Sequence, residues 1–365
     1  MPLMQDFFGA SPSQMQLSLS LFVFAMGLGQ LIVGPLADKL GRRPIAIAGI
    51  LLFLLGSVAI SVSNQLLELL VWRVIQGLGA SCTSVVAITV VRDSFSPRDS
   101  ARIYSYLNGA LNIIPALAPV LGGVLLSIYG WRSSFVCLAV FSLLVFAVTF
   151  KWLPETRPAT THAQLGGLLQ RYAAIVKNRQ FALYALCALG AMSVVLNYAF
   201  MSPQILMVEL GLSSVQFALL FALNALLIMA GSAVAPTLLN RYGRRHCIVY
   251  GSLTMLLAGI LMALFYGLQG YSVVGFMLPV GLACSGFTVV LGASASLALE
   301  PFGDSAGTAS ALQGCIQMLG AALSNMALAL LPVTQIVALA ALMIVFGLFG
   351  IASRRIGGAT LKNYC

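Results

Sequence analysis

Charge is scarce in this chain. Of 365 residues, 8% are Asp, Glu, Lys or Arg, where a soluble domain carries roughly 25%. Acid is the scarcer sign, with nine Asp and Glu against nineteen Lys and Arg, for a net charge of +10. Histidine occurs only as His162 and His246, far apart and in loops. The seven cysteines form no C-x-x-C pair, so neither a metal site nor a disulfide framework is expected. They lie mostly within apolar stretches and read as packing. The phosphate-binding run G-x-x-x-x-G-K-[ST] is missing, as is any polar stretch large enough to house nucleotide hydrolysis. Enzymatic activity is not expected, and neither is a cofactor.

Long apolar runs are what the chain has in abundance. It is 60% hydrophobic, with a mean hydropathy of +1.00. Eleven segments are long enough to cross a bilayer: 15–37, 45–64, 66–92, 100–128, 132–152, 181–206, 213–239, 247–267, 272–298, 304–331 and 334–354. Backbone in hydrocarbon must satisfy its own hydrogen bonds, so these segments are expected to be helices. They lack the short alternation of outer-membrane strands. Seventeen of the nineteen Lys and Arg fall in every second loop or at the C-terminus; the loops between hold only Arg132. That asymmetry argues against nucleic acid as the partner of the basic charge. It predicts a multi-pass inner-membrane protein, with the bilayer as partner and the C-terminus in the cytoplasm. The acidic loop around Glu300 and Asp304 does not contribute to that orientation.

The densest polar cluster is Gly34-Pro-Leu-Ala-Asp38-Lys39-Leu-Gly41-Arg42-Arg43-Pro44, set between two apolar runs. A weaker copy, Asn240-Arg241-Tyr-Gly243-Arg244-Arg245, follows 202 residues on. Ser11-Pro-Ser-Gln14 and Ser213-Ser-Val-Gln216 share that offset, and both spell a helix-capping box. Asp99-Ser-Ala and Asp304-Ser-Ala repeat at an offset of 205. Three pairs in one order predict an all-α membrane protein of two pseudo-symmetric helical bundles. The expected division is 1–154 for the first bundle, 155–178 for a cytoplasmic linker and 179–365 for the second. Only Met1 to Phe8 precede Gly9, whereas a full span precedes Gly211. The expectation is therefore eleven helices of an intact twelve, with the first helix of the first bundle missing.

These residues resemble the major facilitator superfamily. Gly34 to Arg43 matches its loop signature G-x-L-A-D-[RK]-x-G-R-R at every defined position. Leu70-Val-Trp-Arg73-Val-Ile-Gln76-Gly77-Leu-Gly79 is similar to the fourth-helix signature of its proton-coupled members. Pro115-Ala-Leu-Ala-Pro119-Val-Leu-Gly122-Gly123 is similar to the fifth-helix antiporter motif, with Ala118 where Gly is usual. With Leu153-Pro-Glu-Thr-Arg-Pro158 and Glu300 to Ser310, the set looks most like the bicyclomycin-resistance type of drug/proton antiporter. The resemblance implies efflux of small amphipathic compounds in exchange for protons by alternating access. The alternatives are a truncated or non-transporting membrane protein, or a proton-symporting importer.

Each candidate residue has a plain structural reading beside the functional one. Arg73 lies within a span, where a guanidinium is costly unless paired; it either snorkels outward or tunes proton coupling with an acid on the absent helix. No Asp or Glu lies mid-span. At the first offset its counterpart is Gly275. Gly34, Asp38, Lys39, Gly41, Arg42 and Arg43, with Arg241, Arg244 and Arg245, are either a solvated turn or a gate; with Asn240 in place of Asp38, a second gate would lack its carboxylate. Pro115, Pro119, Gly122 and Gly123 either pack closely or seal the antiporter helix against leak. Asn108, Asn112, Asn197, Tyr198, Asn224, Gln313 and Gln317 either bond between helices or line a substrate cavity. Asn108 and Gln313, as repeat equivalents, are expected to face each other across the twofold axis.

Overall fold

The computed structural model describes residues 2–95, 103, 117–118, 121–157, 167–302 and 306–361. Among them there is no strand. A short helix α1 (Pro2–Phe8) precedes α2 (Pro12–Leu40), α3 (Arg42–Val62) and α4 (Leu66–Ser94). After α5 (121–129) come α6 (Arg132–Trp152) and α7 (Leu168–Lys177). The rest is α8 (Arg179–Pro203), α9 (Ser214–Tyr242), α10 (Arg244–Gln269), α11 (Val273–Leu299), α12 (Ala306–Ala329) and α13 (Gln335–Leu361). A π-helical turn, Gln204–Glu209, extends α8.

Nine of these helices are long and apolar enough to span a membrane, against the eleven expected. Segment 100–128 lies largely outside the described residues. Helix α12 is long enough, but its Gln313, Gln317 and Asn325 make it less apolar than the nine. Helix α7 lies inside the stretch read as a linker; it buries Tyr172 and Ile175 and leaves Leu169 outward.

Both capping boxes form. Ser11 accepts from the Gln14 N–H and Gln14 Oε1 accepts from the Ser11 N–H at 2.8 Å; Ser213 and Gln216 repeat the exchange. Each satisfies two donors that the first turn of a helix otherwise leaves orphaned.

The chain forms two compact units, one of Leu3–Leu111 with Val124–Arg171, the other of Asn112–Gly123 with Tyr172–Cys365. In the first, α4 packs on α2 and α3, and α3 on α6. In the second, α11 packs on α9 and α10, and α10 on α13. The same four-helix arrangement is thus built twice, in the same order. In the second unit α8 adds contacts to α11, α12 and α13.

The internal packing also fixes which residues correspond. Gly41 and Gly243, each with positive φ, join α2 to α3 and α9 to α10, 202 residues apart. Gly79 approaches α3 so closely that a Cβ there would meet Gly49 O at 2.6 Å. A Cβ on Gly286 would meet Gly251 O at 2.5 Å. Gly49 pairs with Gly251 at offset 202, but Gly79 pairs with Gly286 at 207, and so do the N-caps Gln65 and Ser272. The cause is helix length: α10 has 26 residues and α3 has 21. The counterpart of Arg73 is therefore the buried Val280, not Gly275.

Helix α1 has a counterpart too. Its Met4 packs with Ile60, Leu69 and Trp131. At matching positions of the second unit, Leu206 of the π turn shares a core with Met262 and Ile336.

Candidate functional site

The first hinge is a set of ion pairs internal to its unit. Gly41 ends α2 and starts α3 at φ 106, a value that favours glycine. The tight turn brings the end of α2 and the start of α3 beside the far end of α4. Arg42 is 1% exposed. Its Nε donates to Asp93 Oδ2 at 2.9 Å, and its Nη1 lies 2.5 Å from Asp38 Oδ1 in an ion pair. Glu155 covers the N-terminus of α3, accepting from the N–H groups of Arg42 at 2.8 Å and Arg43 at 3.2 Å. An anion there complements the helix dipole. Burial pushes the Glu155 carboxyl up, but the N–H groups of Arg157, Arg42, Arg43 and Thr156 outweigh it and hold it below its ordinary value. Arg157 closes the other side, donating to Lys39 O at 2.5 Å at the C-terminus of α2. The Arg43 guanidinium donates to Phe150 O. Lys39 is exposed, and a Cβ on Gly34 would meet nothing within 4 Å.

The second hinge has a carboxylate after all. Arg244 Nη2 lies 2.6 Å from Glu300 Oε1, and Nη1 donates to Ser296 Oγ at 3.0 Å. Arg244 corresponds to Arg42, and Glu300 to Asp93, so the same ion pair exists in both units. Its setting differs: Arg244 and Glu300 are 38% and 48% exposed. The Arg244 hydrogen bond holds the Glu300 carboxyl below its ordinary value. Near Gly243 a Cβ would meet nothing within 4 Å, whereas near Gly41 it would meet the Glu155 carboxylate. The Arg241 guanidinium lies over the Tyr242 ring, and Arg245 lies near the Tyr184 side chain. Of these partners Asp38 alone was expected at a hinge; the lone acid at the end of α4, Asp93, and the acid in Leu153-Pro-Glu-Thr-Arg-Pro158 are the sequence signals for the others in the first hinge.

Arg73 turns into the first unit. Its Nη1 donates to Gln76 Oε1 at 3.0 Å, and Gln76 in turn donates to Ser57 Oγ at 2.9 Å. The guanidinium lies 4.7 Å from the Phe135 ring centroid and 6.0 Å from that of Phe22, which offers cation–π attraction. Among the described residues no carboxylate pairs with it, and its Nε has no hydrogen-bond partner.

The residues expected to line a cavity divide between two faces of α8. Tyr198 and Asn224 line a cavity of about 270 Å³ in the second unit. Asn224 Nδ2 donates to the Tyr198 hydroxyl at 3.1 Å, and Tyr198 stacks on Phe221 at 5.3 Å. Phe287, Ile228 and Val195 complete much of the wall. Asn197, one residue from Tyr198, faces α12 instead and donates to Ser324 Oγ at 2.9 Å. Gln313, 3% exposed with Nε2 unpartnered, and the half-buried Gln317 lie on α12, away from this cavity. Asn108 and Asn112 lie outside the described residues, as do Pro115 and Pro119.

On α5, a Cβ on Gly123 would lie 3.1 Å from Ser214 O and 3.3 Å from Ala218 Cβ, so this glycine sits against the start of α9. A Cβ on Gly122 would meet nothing.

Comparison with known proteins agrees with this architecture. The family model of the Major Facilitator Superfamily matches residues 1–325. A protein of Shewanella sp. (strain ANA-3) named Multidrug resistance protein MdtL is 33% identical over 352 residues, covering 96% of this chain and 88% of its own. The protein of that name from Klebsiella pneumoniae (strain 342) is 32% identical, with 92% and 88% covered. A crystal structure of a D-xylose-proton symporter aligns with a TM-score of 0.76 at 15% identity, covering 93% of this chain and 87% of that one. The xylose transporter XylE from E. coli, partially occluded and inward open, aligns at 0.70 with 13% identity, covering 94% and 86%. At such identities the two solved structures speak for the fold alone. Duplicated bundles, paired hinges and a family match over most of the length lead to one conclusion: this chain is a multi-pass membrane protein belonging to the Major Facilitator Superfamily.

Proposed function

We propose that this chain is a secondary transporter of the inner membrane that exports small amphipathic compounds in exchange for protons. The observation that carries this reading is the 33% identity, over 96% of the chain, to a protein named for multidrug resistance. The uncharged, largely apolar cavity holding Tyr198 and Asn224 supports it, because amphipathic compounds are recognised by apolar walls with a few polar groups. In this reading the hinge loops and the C-terminus face the cytoplasm. The Asp38–Arg42–Asp93 and Arg244–Glu300 sets brace the helix ends that must move as units. Gly122 and Gly123, with Pro115 and Pro119, belong to the helix that limits leak. Arg73 tunes proton coupling, being a cation within a span whose partners among the described residues are neutral.

The test is efflux from a host lacking its own pumps, using a panel of amphipathic dyes, with and without a collapsed pH gradient. Export that stops on collapse supports the reading; export indifferent to the gradient, or absent from well-expressed protein, overturns it. Arg73→Ala is expected to lower gradient-driven export at least tenfold at unchanged abundance, equivalent to about 1.4 kcal/mol of coupling. Arg73→Lys is expected to restore part of it.

A further inference from the structure

We propose that the cavity in the second unit is a subsite for a flat, uncharged, two-ring aromatic group bearing a hydrogen-bond donor beside an acceptor, as an aryl carboxamide does. The inference rests on the efflux reading and adds a substrate class to it.

Size comes first. The cavity measures about 270 Å³, whereas an apolar cavity of about 150 Å³ accommodates one benzene ring. Two fused rings fit. Shape follows from the wall. Tyr198 and Phe221 lie within 14° of parallel, and Phe287 adds a third ring. Aromatic faces favour another flat ring in offset or edge contact. Charge decides the next property. The lining residues are Val195, Leu196, Ala199, Ala225 and Ile228, with those three rings and Asn224. None ionises near neutral pH, so a charged ligand would lose its hydration without compensation.

The polar pair selects further. Asn224 is 1% and Tyr198 2% exposed, and they are bonded to each other. That one bond leaves capacity unused. With Nδ2 donating, the phenol proton and Asn224 Oδ1 have no partner in the cavity wall. With the amide turned over, the phenol proton is used, and an amide hydrogen and a phenol lone pair remain. Either orientation leaves one donor and one acceptor side by side. Met277 Sδ, 3.8 Å from Nδ2, is too weak an acceptor to use that capacity fully. A primary carboxamide on a naphthalene ring presents the matching acceptor and donor.

The test uses the full chain in lipid nanodiscs and equilibrium dialysis of radiolabelled naphthalene-2-carboxamide, 2-methylnaphthalene and naphthalene-2-carboxylate at neutral pH. Empty discs correct for partition into lipid. The carboxamide is expected to bind about 5–10-fold more tightly than the hydrocarbon, the worth of one or two net hydrogen bonds, and the carboxylate most weakly. Tyr198→Phe combined with Asn224→Leu keeps the ring, removes both polar groups and should erase the preference for the carboxamide while hydrocarbon binding persists. Val195→Trp should fill the space and abolish binding of all three, with unfolding temperature reporting that the fold survives. Equal affinity for carboxamide and hydrocarbon, or a preference undiminished when Tyr198→Phe and Asn224→Leu are combined, overturns the proposal. Efflux of the carboxamide is measured in parallel. Undiminished efflux by Val195→Trp would overturn the subsite and leave efflux standing. Selective binding by a chain that exports nothing would sustain the site and overturn the efflux reading.

Discussion

The side chain of Arg42 is 1% exposed and that of Arg244 38%, although the two residues occupy the same place in the repeat. Burial changes what each ion pair does. Arg42 cannot lose Asp93, which is itself 6% exposed, without leaving a guanidinium out of water and short of a partner. Breaking one side of a buried pair costs about 3–5 kcal/mol, and because Asp38 still stands beside Arg42 the lower end is expected for Asp93→Asn. Glu300→Gln, by contrast, removes a solvated pair worth about 0–1 kcal/mol, and salt should erase even that. Thermal unfolding of the two purified variants at low and high salt checks the difference. Equal losses would show that burial does not separate the two hinges. The same scale explains Asn197 and Tyr198. Neighbours on a helix point about 100° apart, so one bonds α12 and the other the cavity.

Helix α3 begins at a turn that leaves its first N–H groups without helical partners, and Glu155 supplies acceptors from a segment more than a hundred residues away. An exposed carboxylate at a helix N-terminus is worth about 0.3–1 kcal/mol and is screened by salt. Its sign with pH is fixed by the direction of the shift. The folded carboxyl ionises below its unfolded value, so its stabilisation is full above the unfolded pKa, about 4.3. It is lost as pH falls through the folded pKa. Glu155→Gln keeps an acceptor but no charge. Its deficit in unfolding temperature is therefore expected to be largest near neutral pH and to vanish in acid. A deficit constant across that range would mean the charge contributes nothing.

The two units repeat one arrangement of helices in the same order, and a parallel repeat has corresponding helices running in the same sense through the bilayer. Labelling with a membrane-impermeant maleimide tests this. Lys39→Cys and Arg241→Cys, both at exposed hinge positions, are expected to react only in inside-out vesicles. Asn64→Cys and Gln269→Cys, at the opposite helix ends, are expected to react only in intact cells. Opposite sidedness for Lys39 and Arg241 would overturn the parallel repeat and the inward placement of the basic loops together.

Sequence by itself determined what depends on composition and short spacing. Apolar length makes the spans helical; Ser and Gln three apart cap α2 and α9; glycine followed by two arginines marks both hinges. The first copy of the family signature was complete enough to name the superfamily. Only tertiary structure decided what depends on residues far apart meeting. Asp93, Glu155 and Glu300 lie 51, 113 and 56 positions from the arginines they serve, and no local pattern encodes such pairings. The register of the repeat was hidden because α10 is longer than α3, so a constant offset assigned Gly275 where packing assigns Val280. The division of amides between helix seam and cavity was hidden as well. In helices apolar on every side, hydrophobic pattern names no inward face, and the neighbouring helices alone determine which polar group is left open to a ligand.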